Sequence, residues 1–261
     1  MVAVVSGAGR GVGRAIAVAL ADAGFAVALL ARSQAELEDA AREIGDAAFT
    51  AACDVRDAEA VAHAVVEAEE ALGPVTLLVN NAGTGLALGP LWEVDAGEWW
   101  TDIETTLRGA FNCCRAVVPG MIERRAGRIV NVSSYVAVRP SPYQTGYAAG
   151  KAALLNLTES LAASLAPHGV QVFAMTPGYV RTQLTERIAD TDAGRTWLPE
   201  VGQGRVLEAA DGARLVVRLA TGDADALNGR FFHALDDLDD ILSRRDEVEA
   251  QDLYVPRLKR L

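Results

Sequence analysis

The sequence predicts an α/β domain, a mostly parallel sheet of about seven strands with helices on both faces. Three observations carry that prediction. Apolar runs of five or six residues recur without the in-out alternation of half-exposed strands. Amphipathic segments of helical period separate them. A cluster of glycines stands where the first strand turns into the first helix.

The elements follow in order. Residues 2–5 read as a short buried strand and 12–23 as a helix that Gly24 ends. Residues 26–31 form the second strand, and Ser33-Gln34-Ala35-Glu36 is a capping box opening a helix to about Ile44. Residues 47–53 are the third strand, 57–72 a helix capped by Asp57, and 76–80 the fourth strand. A long loop runs to Gly97, before a helix over 99–124. Strands over 128–133, 170–175 and 230–234 alternate with helices over 146–166 and 208–221. No linker appears before the last quarter, so residues 1–235 read as one domain and 236–261 as a C-terminal extension.

Composition removes several classes of function. The 261 residues carry 24 basic and 35 acidic side chains, a formal net charge of −11. Nucleic acid and anionic membranes are not the expected partners, because the chain has no positive field to meet phosphate. An apolar fraction of 51% excludes a disordered chain. Cys53, Cys113 and Cys114 share no metal-ligand spacing with His63, His168 or His233, so no metal is expected; the adjacent pair reads as small packed hydrophobes. Residues 2–5 are too short for a signal-peptide core, and Asp22 and Gly24 break the longest apolar stretch. A reducing cytoplasmic setting is the expectation.

Ser6-Gly7-Ala8-Gly9-Arg10-Gly11-Val12-Gly13 supplies the first functional signal. Residues without side chains let the backbone turn tightly, approach a pyrophosphate and leave a helix N-terminus open to an anion. The spacing is GxxxGxG, and no Lys-Ser/Thr follows, which disfavours a P-loop ATPase. The second strand ends Ala31-Arg32-Ser33, where a carboxylate would accept from ribose hydroxyls and repel a 2′-phosphate. No carboxylate stands there. Arg10 and Arg32 can both face a phosphate, so NADP(H) is favoured over NAD(H). Asp54-Val55 leaves the third strand where the adenine would lie, and Asn80-Asn81-Ala82-Gly83 leaves the fourth with small residues suited to backbone contact.

Tyr147 and Lys151 are four residues apart at a helix start and share one face. An ammonium beside a phenol favours the phenolate. Ser133-Ser134 ends a parallel strand, the side of such a sheet where active sites gather. A serine hydroxyl there can hold a carbonyl oxygen as it gains charge.

With these motifs in place, residues 2 to about 234 resemble the short-chain dehydrogenase/reductase family, of single-domain Rossmann-type fold. Five motifs match in order: Gly7-x-x-x-Gly11-x-Gly13, Asn80–Asn81–Ala82–Gly83, Asn131-Val132-Ser133-Ser134, Tyr147-x-x-x-Lys151, and Pro177-Gly178 through Thr182. The resemblance implies that Ser134 is the catalytic serine and Ser133 structural. It also implies that Lys151 bonds the nicotinamide ribose and that Val180 and Thr182 meet the nicotinamide end. One departure stands out: Thr106 takes the place of the family's catalytic Asn, and Asn112 lies over a turn and a half away. The expected function is NADP(H)-dependent hydride transfer between nicotinamide and a carbonyl or secondary alcohol, with Tyr147 as acid/base. A cofactor-binding regulator or scaffold, slowed by Thr106, is the alternative.

Loops over 84–94, 135–144 and 179–207 are expected around the substrate, supplying Leu86, Leu88, Trp92, Tyr135, Val136, Tyr143, Tyr179, Leu184 and Trp197. That lining suits an apolar or aromatic ketone, and 179–207, which mixes a charged stretch over 184–189 that can form a helix with Gly194, Pro199, Gly202 and Gly204, reads as a lid. Residues 236–252 hold 8 acidic and 2 basic side chains; Leu238, Ile241 and Leu242 form one helical face that should dock on the domain or a neighbouring subunit. No EF-hand spacing supports calcium at its aspartates. The resemblance implies a homodimer or homotetramer built on the 99–124 helix, the 208–221 helix and the last strand.

Overall fold

The computed structural model describes residues 1–199 and 206–257. Gly202 and Gly204 of the expected lid and residues 258–261 of the expected tail lie outside the described residues. Seven parallel strands form one sheet in the order β3-β2-β1-β4-β5-β6-β7. They are β1 (Val2–Ser6), β2 (Ala26–Ala31), β3 (Ala48–Ala52), β4 (Val75–Asn80), β5 (Gly127–Val132), β6 (Val170–Thr176) and β7 (Phe231–His233). The sheet is wholly rather than mostly parallel.

Alternate residues of the inner strands feed two apolar layers. Ala3 and Val5, Val27 and Leu29, and Phe173 and Met175 enter one; Val2 and Val4, Ala28 and Leu30, and Val170 and Val172 enter the other. Each inner strand is buried on both faces, which is why its sequence is almost continuously apolar, whereas the edge strands β3 and β7 are only partly buried. Helices α1 (Gly11–Asp22), α2 (Gln34–Ile44) and α9 (Ala209–Thr221) cover the first layer. The second lies under α3 (Ala58–Leu72), α5 (Gly109–Arg124) and α6 (Thr145–Leu165).

Two local features differ from the sequence expectation, and a third, the helical part of the lid, agrees with it. The capping box at α2 is half made: Ser33 accepts from the Glu36 amide at 3.4 Å, while the Glu36 carboxylate turns to Arg10 at 3.1 Å. An ion pair on the neighbouring turn outcompetes the local cap. The helix expected over 99–124 starts earlier, as α4 (Ala96–Ile103), and passes through a π-helical turn, Glu104–Arg108, into α5. Such wide turns cluster at functional sites. The lid segment contains two helices, α7 (Gln183–Asp190) and α8 (Asp192–Trp197).

The C-terminal segment folds back on this same chain. In α10 (Leu238–Ser243) and α11 (Arg245–Ala250), Leu238, Ile241 and Val248 are buried in the layer that holds α9. Arg218 of α9 pairs with Asp239 at 2.7 Å, Arg230 pairs with Asp252 at 2.9 Å, and the Phe231 amide donates to the Tyr254 carbonyl at 2.8 Å.

Candidate active site

The glycine turn is built by close approach. A Cβ on Gly13 would lie 2.2 Å from the Gly7 carbonyl oxygen and 2.4 Å from the Asn81 amide nitrogen. Asn81 Nδ2 donates to the Ser6 and Gly7 carbonyls at 3.0 and 3.2 Å, and the Ser6 hydroxyl accepts from the Asn81 and Ala82 amides. The turn between β1 and α1 is thereby clamped to the segment leaving β4. Arg10 precedes α1 without capping it through its side chain, and no acidic residue occupies the first turn, so the helix N-terminus stays open to an anion. This cradle fits a dinucleotide pyrophosphate.

The other expected cofactor residues are distributed around it. Arg32 is exposed after β2, and its charge reaches the Asp54 carboxylate. Asp54 is held at 2.7 and 3.1 Å by Arg56, a hydrogen-bonded pairing that keeps it below the ordinary carboxylate range. Arg10 is engaged by Glu36 and by Gln183 of α7. Glu36 lies against Gly9. Val55 is buried, and its carbonyl accepts from Asn112 Nδ2 at 2.8 Å, so Asn112 is occupied away from the catalytic face. Thr182 caps α7 and touches Gly11, placing the lid's first turn against the glycine turn. Val180 is bridged to Leu207, which lies against Gly178.

Tyr147, Lys151, Ser134, Gly83 and Thr106 converge at the C-terminal ends of β4 and β5. Burial holds the Tyr147 phenol above its ordinary pKa; Ser134 beside it favours ionisation but is outweighed, and the Asp102 charge adds to the rise. Lys151 is buried, its Nζ donates to the Val132 carbonyl at 2.7 Å and stands 5.6 Å from the Tyr147 ring centre. Burial pulls its pKa down to about 8. Ser133 donates to the Lys151 carbonyl at 3.1 Å and so braces the helix. A Cβ on Gly83 would sit 3.2 Å from Lys151 Nζ and 3.6 Å from Thr106 Oγ1. The Thr106 hydroxyl is buried on the π turn with no hydrogen-bond partner among the described residues.

The substrate side is partly as expected. Leu184 packs against the Gly85 position beside Tyr147, and the Tyr143 and Trp197 rings stack with centres 4.8 Å apart. Tyr135 contacts His233 at 5.7 Å and lies under Arg139. Trp92 is a correction: it is 83% exposed and its indole N–H donates to neighbouring Glu93, because the turn opening at Pro90 points it outward. Sequence reasoning gave Ser6 no role of its own and missed Gln144 and Asp102. Gln144 lies three residues before Tyr147 and is buried beside it, a position a reading from the Tyr-x-x-x-Lys motif could have examined. A helical Asp before Thr106 reads as a surface charge, and nothing in the sequence flags it otherwise.

Among the described residues, no cluster of His, Cys, Asp or Glu could hold a metal ion, and no helix is long and apolar enough to cross a membrane. Residues 1–193 match the short chain dehydrogenase family, and the chain belongs to it. It is therefore an oxidoreductase with a nicotinamide-dinucleotide-binding fold, of the class acting on carbonyl or alcohol groups. A short chain dehydrogenase of Pseudocercospora fijiensis is 43% identical over 70% of this chain and 60% of that protein. The 3-oxoacyl-[acyl-carrier-protein] reductase FabG of Staphylococcus aureus is 35% identical over 88% of this chain and 95% of its own. The 3-ketoacyl-(acyl-carrier-protein) reductase of Brucella melitensis, solved with NADH, matches with TM-score 0.80 and 31% identity, covering 89% of this chain and 95% of that one. A variant of actinorhodin polyketide ketoreductase, solved with NADPH, matches with TM-score 0.80 and 30% identity over 89% and 94%.

Proposed function

We propose that this protein reduces an apolar or aromatic ketone with NADPH in the reducing cytoplasm. The observation that carries the reading is the gathering of Ser134, Tyr147 and buried Lys151 at the C-terminal end of β5, with Lys151 Nζ 5.6 Å from the Tyr147 ring centre and the open glycine cradle beside them. The nicotinamide, when bound, supplies hydride to the carbonyl carbon. Ser134 and Tyr147 receive the carbonyl oxygen between their hydroxyls, and Tyr147 donates its proton as charge develops there. Lys151 holds the ribose side with the N–H groups that Val132 leaves free, and its charge favours the phenolate that forms as Tyr147 gives up its proton. The unpaired Thr106 hydroxyl, facing Lys151 across Gly83, holds the water through which that proton is replaced. Alcohol oxidation uses the same groups in reverse.

NADP(H) follows from Arg32, which is exposed, makes no hydrogen bond among the described residues and directly follows β2, whose end carries no carboxylate of its own. Gly7, Gly9, Gly11, Val12 and Gly13 line the pyrophosphate. Ser33, Asp54 and Val55 surround the adenosine end, and Asn81, Ala82, Gly83, Pro177, Gly178, Val180 and Thr182 the nicotinamide half. Leu184, Tyr143 and Trp197 favour an apolar substrate. A homo-oligomer forms across the α4–α5 face, where Trp100 and Phe111 are 57% and 49% exposed.

Cofactor titration followed by a carbonyl panel tests the reading. Tyr147→Phe should abolish turnover and leave NADPH affinity within about twofold. Arg32→Asp should weaken NADPH far more than NADH; equal effects refute the phosphate assignment. Tight NADPH binding without turnover of any ketone or alcohol would make the protein a cofactor-binding regulator instead.

A further inference from the structure

Two charged side chains are buried among the described residues, Lys151 and Asp102. The reaction accounts for the first. Asp102 is completely buried on α4, one helical turn before Thr106, and makes no ion pair with any described residue. Its oxygens accept from the Leu86 amide at 2.8 and 3.0 Å and from the Ala87 amide at 3.1 Å. A carboxylate taken out of water is costly even when amides satisfy it.

The placement gives that charge a use. α4 and the π turn pack on α6 at Gly150, where a Cβ would meet Thr106, Ile103 and the Asp102 carbonyl. Gly150 falls between Tyr147 and Lys151. The amides that Asp102 holds follow Gly85 directly, and a Cβ on Gly85 would lie 4.0 Å from the Tyr147 ring. One carboxylate thus anchors the loop over the Tyr147 ring and sends a negative field toward the phenol.

Resting on the reading of Tyr147 as the proton donor, we propose that Asp102 is a positioning residue that keeps the Tyr147 hydroxyl protonated and fixes the Leu86–Ala87 wall of the substrate pocket. The described groups that act on the phenol are Ser134 after β5, Lys151 on α6 and Asp102 on α4; Leu184 from the lid is apolar. Lys151 favours the phenolate and Asp102 opposes it. The balance suits a group that gives up a proton to substrate near neutral pH. Burial and the Asp102 charge both act to raise the phenol pKa, consistent with this geometry.

The test compares pH–rate profiles of the wild-type protein and Asp102→Asn in both directions, using NADPH with the best ketone of the panel and NADP with its alcohol. Removing the charge should move the alkaline loss of reduction, and the rise of oxidation, to lower pH by about one unit. KM for the ketone should rise severalfold as the loop loosens, while NADPH affinity holds. If Asp102→Asn fails to fold, Asp102→Ser, which keeps one acceptor for the amides, gives the same comparison. A profile unmoved in pH overturns the proposal even if kcat falls, since a loop brace alone would not shift a titration. Tyr147→Phe separates the two readings: retained turnover there refutes Tyr147 itself, whereas its loss beside an unshifted Asp102→Asn profile refutes only the role of Asp102.

Discussion

Gly13→Ala tests the cofactor cradle most directly, because the obstruction can be read from the structure. The new methyl would stand 2.2 Å from the Gly7 carbonyl oxygen, 2.4 Å from Asn81 Nδ2 and 2.9 Å from the Gly7 carbonyl carbon. Ordinary contact begins near 3.5 Å, so the turn and the start of α1 must part by about 1 Å. Two of the three obstructing atoms are backbone, and the third is an amide fixed by the Ser6 and Gly7 carbonyls, so no side chain can simply swing aside. Overpacking of this kind costs about 1–3 kcal/mol, a melting temperature lower by roughly 2–10 °C. The same displacement moves the amides meant for the pyrophosphate, so NADPH affinity should fall at least about tenfold, near 1.4 kcal/mol. Thermal unfolding by circular dichroism and NADPH titration by tryptophan fluorescence measure both. Gly24→Ala is the control: its φ is +87°, but a methyl there meets nothing within 4 Å, so it should lower stability and leave cofactor affinity intact. Unchanged affinity in Gly13→Ala would refute the cradle as the dinucleotide site.

Other outcomes follow from the same geometry. Thr106→Val removes an unpaired buried hydroxyl; stability should hold or rise by up to about 1 kcal/mol while kcat falls roughly tenfold, and an unchanged kcat would exclude this hydroxyl from proton relay. Burial pushes the Cys53 and Cys114 thiols up to about 11 and Cys113 higher still. Folded thiols therefore keep protons that unfolded ones lose, so these groups reduce stability as pH rises from about 9 towards 11. In a thiol titration at pH 8, all three should react after denaturation and none before. Ile241→Asp puts a charge into a site only 4% exposed and should lower the unfolding free energy, measured by denaturant titration, by about 3 kcal/mol or more, separating a docked tail from a loose one.

Much of the fold was legible because strands buried on both faces must be apolar throughout, and helices betray themselves by period. Catalytic geometry was legible where it depends on spacing along one element, as with Tyr147 and Lys151 on α6. The features that escaped depend on tertiary competition. Glu36 could serve its own helix or Arg10, and only the fold decides between them. The π turn at Thr106 leaves no trace in hydrophobic period, because a single wide turn shifts the pattern by less than the scatter of side chains. Asp102 was hidden for the opposite reason: its residue type ordinarily signals solvent. Whether the tail would dock on this chain or another was likewise open, since an amphipathic face states only that it needs a partner.

The C-terminal segment has a consequence for how copies of this protein meet. β7 is an outer strand of the sheet, and an outer strand offers unpaired amides on which another chain can template. Here the Phe231 amide is already taken by Tyr254 of the same chain. The helices leading to that contact turn Asp237, Asp239, Asp240, Asp246 and Glu249 outward, so two copies approaching by this flank bring like charges together. The chain thus guards its own border against strand addition, by occupancy at the strand and by repulsion around it. Concentrated salt would screen the repulsion, with a Debye length near 3 Å at 1 M, but would leave the occupied amide as it is.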